Sequence, residues 1–330
     1  MCWGPAACLP LPRSWARAYV AALKPDTEAH PVQSLQHVRD EATEGMIDFH
    51  VHTLPDTFGR TVDSVEAART ARALGMRAIV LKGGAFETVT RAAQANADVG
   101  GRLRVFGGVV LNWPMGGINP AAVEAMVTLR GGGVEGLGRV VWLPSIHARN
   151  HHERFGIPQP GVEVFDGTRL VPAMREILAL CAEYELVLET GHLSAQEALA
   201  VIREAGAAGV ERIVCTHADY DPINMTIDEQ REAARLGAYI EHAYMGVFLG
   251  PDCPEERFRP WRGTSVEQMA AAIKAVGAER CILASDLGAA PLVKPAEGYL
   301  AFVRRLREFD VGDRELDRMG RHNPAQLLGL

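Results

Sequence analysis

The sequence contains no run of about eighteen uninterrupted apolar residues, the length a helix needs to cross a bilayer, although 48% of its 330 residues are hydrophobic. Together with 23% charged residues, this predicts a soluble globular chain. Basic charge is in deficit: 34 Lys and Arg face 41 Asp and Glu, a formal net charge of −7. Nucleic acid is bound through clustered Lys and Arg, so the balance excludes it as the expected partner and leaves a small molecule. The six cysteines (Cys2, Cys8, Cys181, Cys215, Cys253 and Cys281) form no CxxC pair, and a reducing cytoplasm fits them best. The opening MCWGPAACLPLPRSWARAYVAAL is broken by prolines, and its first basic residue, Arg13, follows the apolar part. That order is the reverse of a secretory leader's, so residues 1–45 read as an N-terminal extension. Phosphate loops are absent too. The pairs Gly83–Gly84 and Gly107–Gly108 lack the GxGxxG and GxxxxGK(S/T) spacings and read instead as close backbone approaches.

From Met46 onward, short β-branched runs alternate with alanine-rich segments of helical period. Eight runs qualify as strands: MIDFHVH, RAIVLKG, LRVFGGVVL, RVVWLPS, LVLETGH, RIVCTH, AYIEHAY and CILASDLG. Between them, Asp63 with Glu66, Ser194 with Glu197, Thr226 with Glu229 and Thr264 with Glu267 have the spacing of helix-opening capping boxes. Gly75, Gly209, Gly237 and Gly277 lie just before the following strand, where a left-handed turn ends a helix. Repeated βα units with no second compositional regime predict an α/β protein, a closed (β/α)8 TIM barrel over residues 46–330. A doubly wound open sheet is the runner-up.

Five of the eleven histidines, His50, His52, His192, His217 and His242, fall at or near the C-terminal ends of these strands, and Asp286 has the same place on the eighth. In a barrel those ends form one mouth, so distant residues converge there. Imidazoles and carboxylates on rigid strand ends suit a divalent metal of the zinc type. Alternation along IDFHVH places Asp48, His50 and His52 on one face. Asp48, one step deeper, is expected to accept a hydrogen bond from a ligand imidazole and fix its tautomer.

An HxH on the first strand, single histidines on the fifth and sixth and an aspartate on the eighth resemble the amidohydrolase superfamily of metal-dependent barrel hydrolases. The C-terminal RHNPAQLLGL is similar to the close of many such chains. TGHLS, VCTHA and SDLG look closest to an uncharacterised amidohydrolase-like branch. The resemblance implies that His50, His52 and Asp286 bind a metal, with His192 completing the site. It implies that His217 binds a second metal or polarises substrate or water, and that Asp286 is the proton shuttle. Two-metal members carry a bridging lysine or glutamate on the fourth strand. VVWLPSIH offers neither, which favours one ion, Zn²⁺ ahead of Mn²⁺ or Fe²⁺.

Lys82, at the end of the second strand, is a candidate to grip a substrate carboxylate or phosphate. His147 opens a loop of about 25 residues, longer than a structural connection needs, and is its residue expected to reach the site, whereas His151 and His152 read as solvated. His242 and Glu241 lie on opposite faces, and the sequence does not say which faces the mouth. His242 is kept as a substrate-binding candidate. Glu189, three residues before His192, is expected to point away from it. A second long connection, MGVFLGPDCPEERFRPWRG, is a candidate lid. Metal-dependent hydrolysis of an amide, lactone or ester is the leading reading. The alternatives are one-metal decarboxylation with Lys82 or Arg149 holding the carboxylate, phosphoester hydrolysis, and a non-catalytic ligand-binding barrel. The oligomeric state, including a homo-oligomer, stays open.

Overall fold

The computed structural model describes residues 41–330. The extension expected over residues 1–45, with Cys2, Cys8 and Arg13, falls almost wholly outside them. The eight expected runs all form strands: β1 Ile47–His52, β2 Ala78–Lys82, β3 Arg104–Val110, β4 Gly138–Trp142, β5 Val187–Glu189, β6 Ile213–Cys215, β7 Tyr239–Ala243 and β8 Cys281–Ala284. They pair in parallel in sequence order. The ring closes where Asp286 N donates to His50 O and His52 N to Leu287 O, both at 2.9 Å, with a parallel bridge between Val51 and Leu287. The protein is therefore a (β/α)8 barrel. No helix of the described residues is long and apolar enough to cross a membrane.

Local chemistry sets the helix boundaries. Asp63 accepts from Glu66 N to open the helix Ser64–Ala73, and full capping boxes at Ser194 and Thr226 open Ala195–Ala207 and Ile227–Arg235. The box expected at Thr264 lies one residue later. Ser265 with Gln268 opens Val266–Val276, because Gln also serves at the third position. At the C-terminus, Asn323 Nδ2 donates to Ala278 O (2.8 Å) and Cys281 O (2.7 Å), so the NPA motif pins the last helix to the start of β8.

The barrel interior needs its glycines. A Cβ on Gly108 would lie 2.0 Å from Val140 O and 2.7 Å from the Trp142 ring, so only glycine lets β3 approach β4 there. The connection after β4 is more ordered than a plain loop, holding a short helix, Arg149–Phe155, and a hairpin of Phe165–Asp166 with Arg169–Leu170. It meets the connection after β7 where Phe155 stacks on Trp261, ring centroids 4.8 Å apart. The four cysteines among the described residues are free and buried.

Candidate metal centre

β1 and β8 build the centre of the mouth. Asp286 Oδ1 lies 2.9 Å from His50 Nε2 and 3.0 Å from His52 Nε2. The ligand atoms of all three residues fall within 4.8 Å of one another. His50 Nε2 is buried and, although close to the carboxylate, is not aligned with it as a hydrogen bond. A nitrogen without a hydrogen-bond partner beside a shared oxygen at the ends of rigid strands fits a divalent cation. Without a metal, the surroundings of His50 favour its protonated form. Burial opposes its protonation, but Asp286 and Glu241 outweigh that and lift its pKa to about 9. Burial would likewise raise Asp286, yet His50 and His52 hold it well below the usual carboxylate range. His52 is driven down to about 3 by burial and then by Arg60. Arg60 Nη2 donates to His52 Nδ1 at 3.1 Å. A guanidinium cannot accept, so neutral His52 keeps its proton on Nε2, toward Asp286. Ligation by that nitrogen therefore requires the proton to move and Arg60 to turn aside.

His192 and His217 stand beside this trio. Their Nε2 atoms are 3.1 Å apart, and the His217 ring lies 6.1 Å from that of His50. Tyr220 stacks on His217 at 4.6 Å and donates to Asp286 Oδ2 at 2.5 Å, linking the two groups. Burial lowers His217 to about 4 and His192 well below its ordinary value, so both are neutral. Asp286 (φ 50°) and His217 (φ 26°) both take left-handed backbone. Outside glycine this conformation is uncommon and clusters at functional sites.

Several expectations need correction. Asp48 does not orient His50. Its Oδ1 accepts from Ser285 N (2.8 Å) and His50 N (3.2 Å), and burial raises it to about 7. The partner of His50 Nδ1 is Glu241 Oε1, at 3.0 Å, which also accepts from His217 N at 3.0 Å. Glu241 thus faces the mouth. His242 points away, to Asp219 Oδ2 at 2.7 Å, and is not placed to bind substrate. Glu189, expected to point away, is buried within reach of His50 and Glu241. Burial, followed by Glu241, raises it to about 8. Glu189 Oε1 and Glu241 Oε2 are buried without hydrogen-bond partners.

Lys82 ends β2. It is buried, its Nζ lies 5.7 Å over the Trp142 ring, and it has no hydrogen bond or ion pair among the described residues. Burial lowers its pKa. Trp142 ends β4, and its buried Nε1 also has no partner. His147 does not join the cluster. Its ring lies 6.0 Å from that of His152. His151 and His152, expected to be solvated, are 6% exposed, and His151 Nδ1 is 2.9 Å from His192 Nδ1. Arg149 is committed to Glu197 and does not reach the mouth.

The fold and its mouth define a (β/α)8 barrel with a polar, histidine-rich centre at the C-terminal ends of its strands. The chain belongs to the family described as "Family of unknown function (DUF6282)", whose model matches residues 45–241. No curated protein matches the sequence. Among solved structures it is similar to an organophosphorus hydrolase from Deinococcus radiodurans, with 16% identity and a TM-score of 0.60 over 92% of this chain and 100% of that one. A triple mutant of that hydrolase gives 17% and 0.59 over 87% and 94%. A protein described under molecular engineering of organophosphate hydrolysis activity from a weak promiscuous lactonase template gives 17% and 0.60 over 87% and 97%. At these identities the likeness shows the fold.

Proposed function

We propose that this protein is a cytoplasmic, metal-dependent hydrolase of a small molecule carrying an amide, lactone or ester carbon. The observation that supports it most is Asp286 Oδ1 lying within 3.0 Å of Nε2 of both His50 and His52. His50, His52 and Asp286 would hold the ion, Zn²⁺ ahead of Mn²⁺ or Fe²⁺, with His192 and His217 beside it. When bound, such an ion polarises a carbonyl oxygen and brings the pKa of water to about 7. Asp286 is the proton shuttle: Oδ2 takes a proton at the reacting centre and returns it to the leaving group, and the Tyr220 hydroxyl holds that oxygen in place. His217, neutral and fixed against Tyr220, would turn its Nε2 proton from His192 to the substrate oxygen. Glu241 keeps the His50 ring in register. The free, buried cysteines suit a reducing compartment.

Lys82 adds a preference for anionic substrates. A buried ammonium without a protein partner is costly unless a ligand supplies an acceptor, and a charged hydrogen bond of this kind contributes about 1.5–3 kcal/mol. With metal-loaded protein, Lys82→Met is expected to raise KM for a carboxylate-bearing ester about 10- to 100-fold and to leave a matched neutral ester unaffected. Equal effects on both esters would remove Lys82 from substrate recognition. The same cation supports decarboxylation as the second reading. Product analysis separates the two, since hydrolysis yields an acid and an alcohol or amine, and decarboxylation yields carbon dioxide.

A further inference from the structure

Both ring nitrogens of His192 face another imidazole: Nδ1 faces His151 Nδ1 at 2.9 Å and Nε2 faces His217 Nε2 at 3.1 Å. Each N···N contact holds a single proton, so the three tautomers are linked. The end of the chain fixes them. His217 Nδ1 is buried with no partner. An unsatisfied buried N–H is the costlier orphan, so that nitrogen is bare and the His217 proton sits on Nε2. His217 then donates to His192 Nε2. His192, neutral, must carry its proton on Nδ1 and donate to His151 Nδ1.

The short helix Arg149–Phe155 is clamped where this requires. Asn150 Nδ2 donates to His192 O and to Pro222 O, each at 3.1 Å, and Arg154 pairs with Asp221 at 2.6 Å. The His151 ring is enclosed by Phe155 (4.8 Å) and Trp261 (5.5 Å), apolar cover that disfavours a charged imidazole. We propose that His151 is a positioning residue, the acceptor that keeps the His192 proton on Nδ1 and leaves Nε2 without a proton of its own, an acceptor that faces the His217 N–H in the metal-free protein. The fourth βα connection, whose strand lacks a ligand, thus contributes to the site through a helix. The consequence for metal affinity rests on the metal-dependent reading above; the tautomer assignment does not.

The test uses the full chain, with Co²⁺ as the probe ion and two variants. His151→Phe fills the aromatic cage but removes the acceptor, and His151→Asn restores an acceptor oxygen. Loss of a hydrogen-bond partner behind a ligand histidine costs about 10- to 100-fold in metal affinity. His151→Phe is therefore expected to weaken Co²⁺ binding by that factor and to alter the visible absorption of the Co²⁺ protein, with Tm of the metal-free form little changed. His151→Asn is expected to recover most of the affinity. Wild-type affinity and spectrum in His151→Phe, or equal losses in both variants, would overturn the proposal. Imidazole ¹⁵N NMR of the metal-free protein tests the assignment separately, with the His192 signals identified by their loss in His192→Gln. The wild type should show His192 protonated on Nδ1, and His151→Phe should shift it toward Nε2. His192 protonated on Nε2 in the wild type overturns the proposal whatever the metal result. A wild type that binds no Co²⁺ but shows the Nδ1 tautomer overturns the metal-dependent reading and supports the positioning role.

Discussion

Replacing His50 and His52 together by alanine is expected to take bound divalent metal from about one equivalent per chain to none, with the barrel still folded. The two imidazoles supply two of the three ligand atoms gathered at Asp286, and a single carboxylate does not retain an ion through chelator washing. The fold should survive because the β1 hydrogen bonds to β2 and β8 are made by backbone atoms and its outward residues, Phe49 and Val51, remain in the core. A stability cost is expected nonetheless. In the metal-free protein, His50 is a cation between Asp286 and Glu241, and removing one partner of a buried ion pair costs about 3–5 kcal/mol. The pH dependence identifies this contribution. The folded His50 value, about 9, lies above its ordinary 6.5. Its stabilisation is therefore fully present below pH 6.5 and is lost as pH rises toward 9. Denaturant titrations of metal-free wild type should show that decline, and the variant should lack it. Unchanged metal content in the variant would refute the site assignment.

Asp286→Asn is expected to lower kcat by about 10²- to 10⁴-fold in protein that still carries metal. The amide keeps an oxygen near His50 and His52 but cannot take a proton. Asparagine tolerates the left-handed backbone nearly as well as aspartate, so the φ of 50° at this position does not by itself explain a loss. The measurement is kcat at saturating metal, read beside metal content. Retained turnover would mean another group moves the proton, and Glu241, with one oxygen free of hydrogen bonds, would be the first to examine.

The fold was legible in the sequence because each βα unit announces itself locally: β-branched runs, capping residues at Asp63, Ser194 and Thr226, and glycines at Gly75, Gly209, Gly237 and Gly277 that do take positive φ. The candidate site was legible only where alternation holds. Along β1 it places His50 and His52 together. On β5 it fails, because the strand ends at Glu189 and Gly191, at φ 59°, turns the chain before His192. Glu189 and His192 can therefore both face the interior despite their odd spacing. A Cβ at Gly191 would meet Leu143 O at 2.3 Å, so the turn depends on that glycine. The parity of Glu241 and His242 is set by the pairing of β7 with β6 and β8, which no local pattern encodes. Asp48 was an attractive partner for His50 because it is near in sequence, yet the partner comes from a strand 191 residues away. The burial of His151 is hidden in the sequence for a similar reason. HARNHHERFG has the polarity of a surface loop, and its burial arises only where Phe155 and Trp261 meet over the mouth.

The most direct test of a metal-dependent centre is elemental analysis of the purified, chelator-washed full chain by plasma mass spectrometry, reported as metal per chain. About one equivalent of zinc, manganese or iron is the expected result. No bound metal, even after these ions are supplied, would contradict the account and leave the histidine cluster as a structural or ligand-binding feature of the barrel.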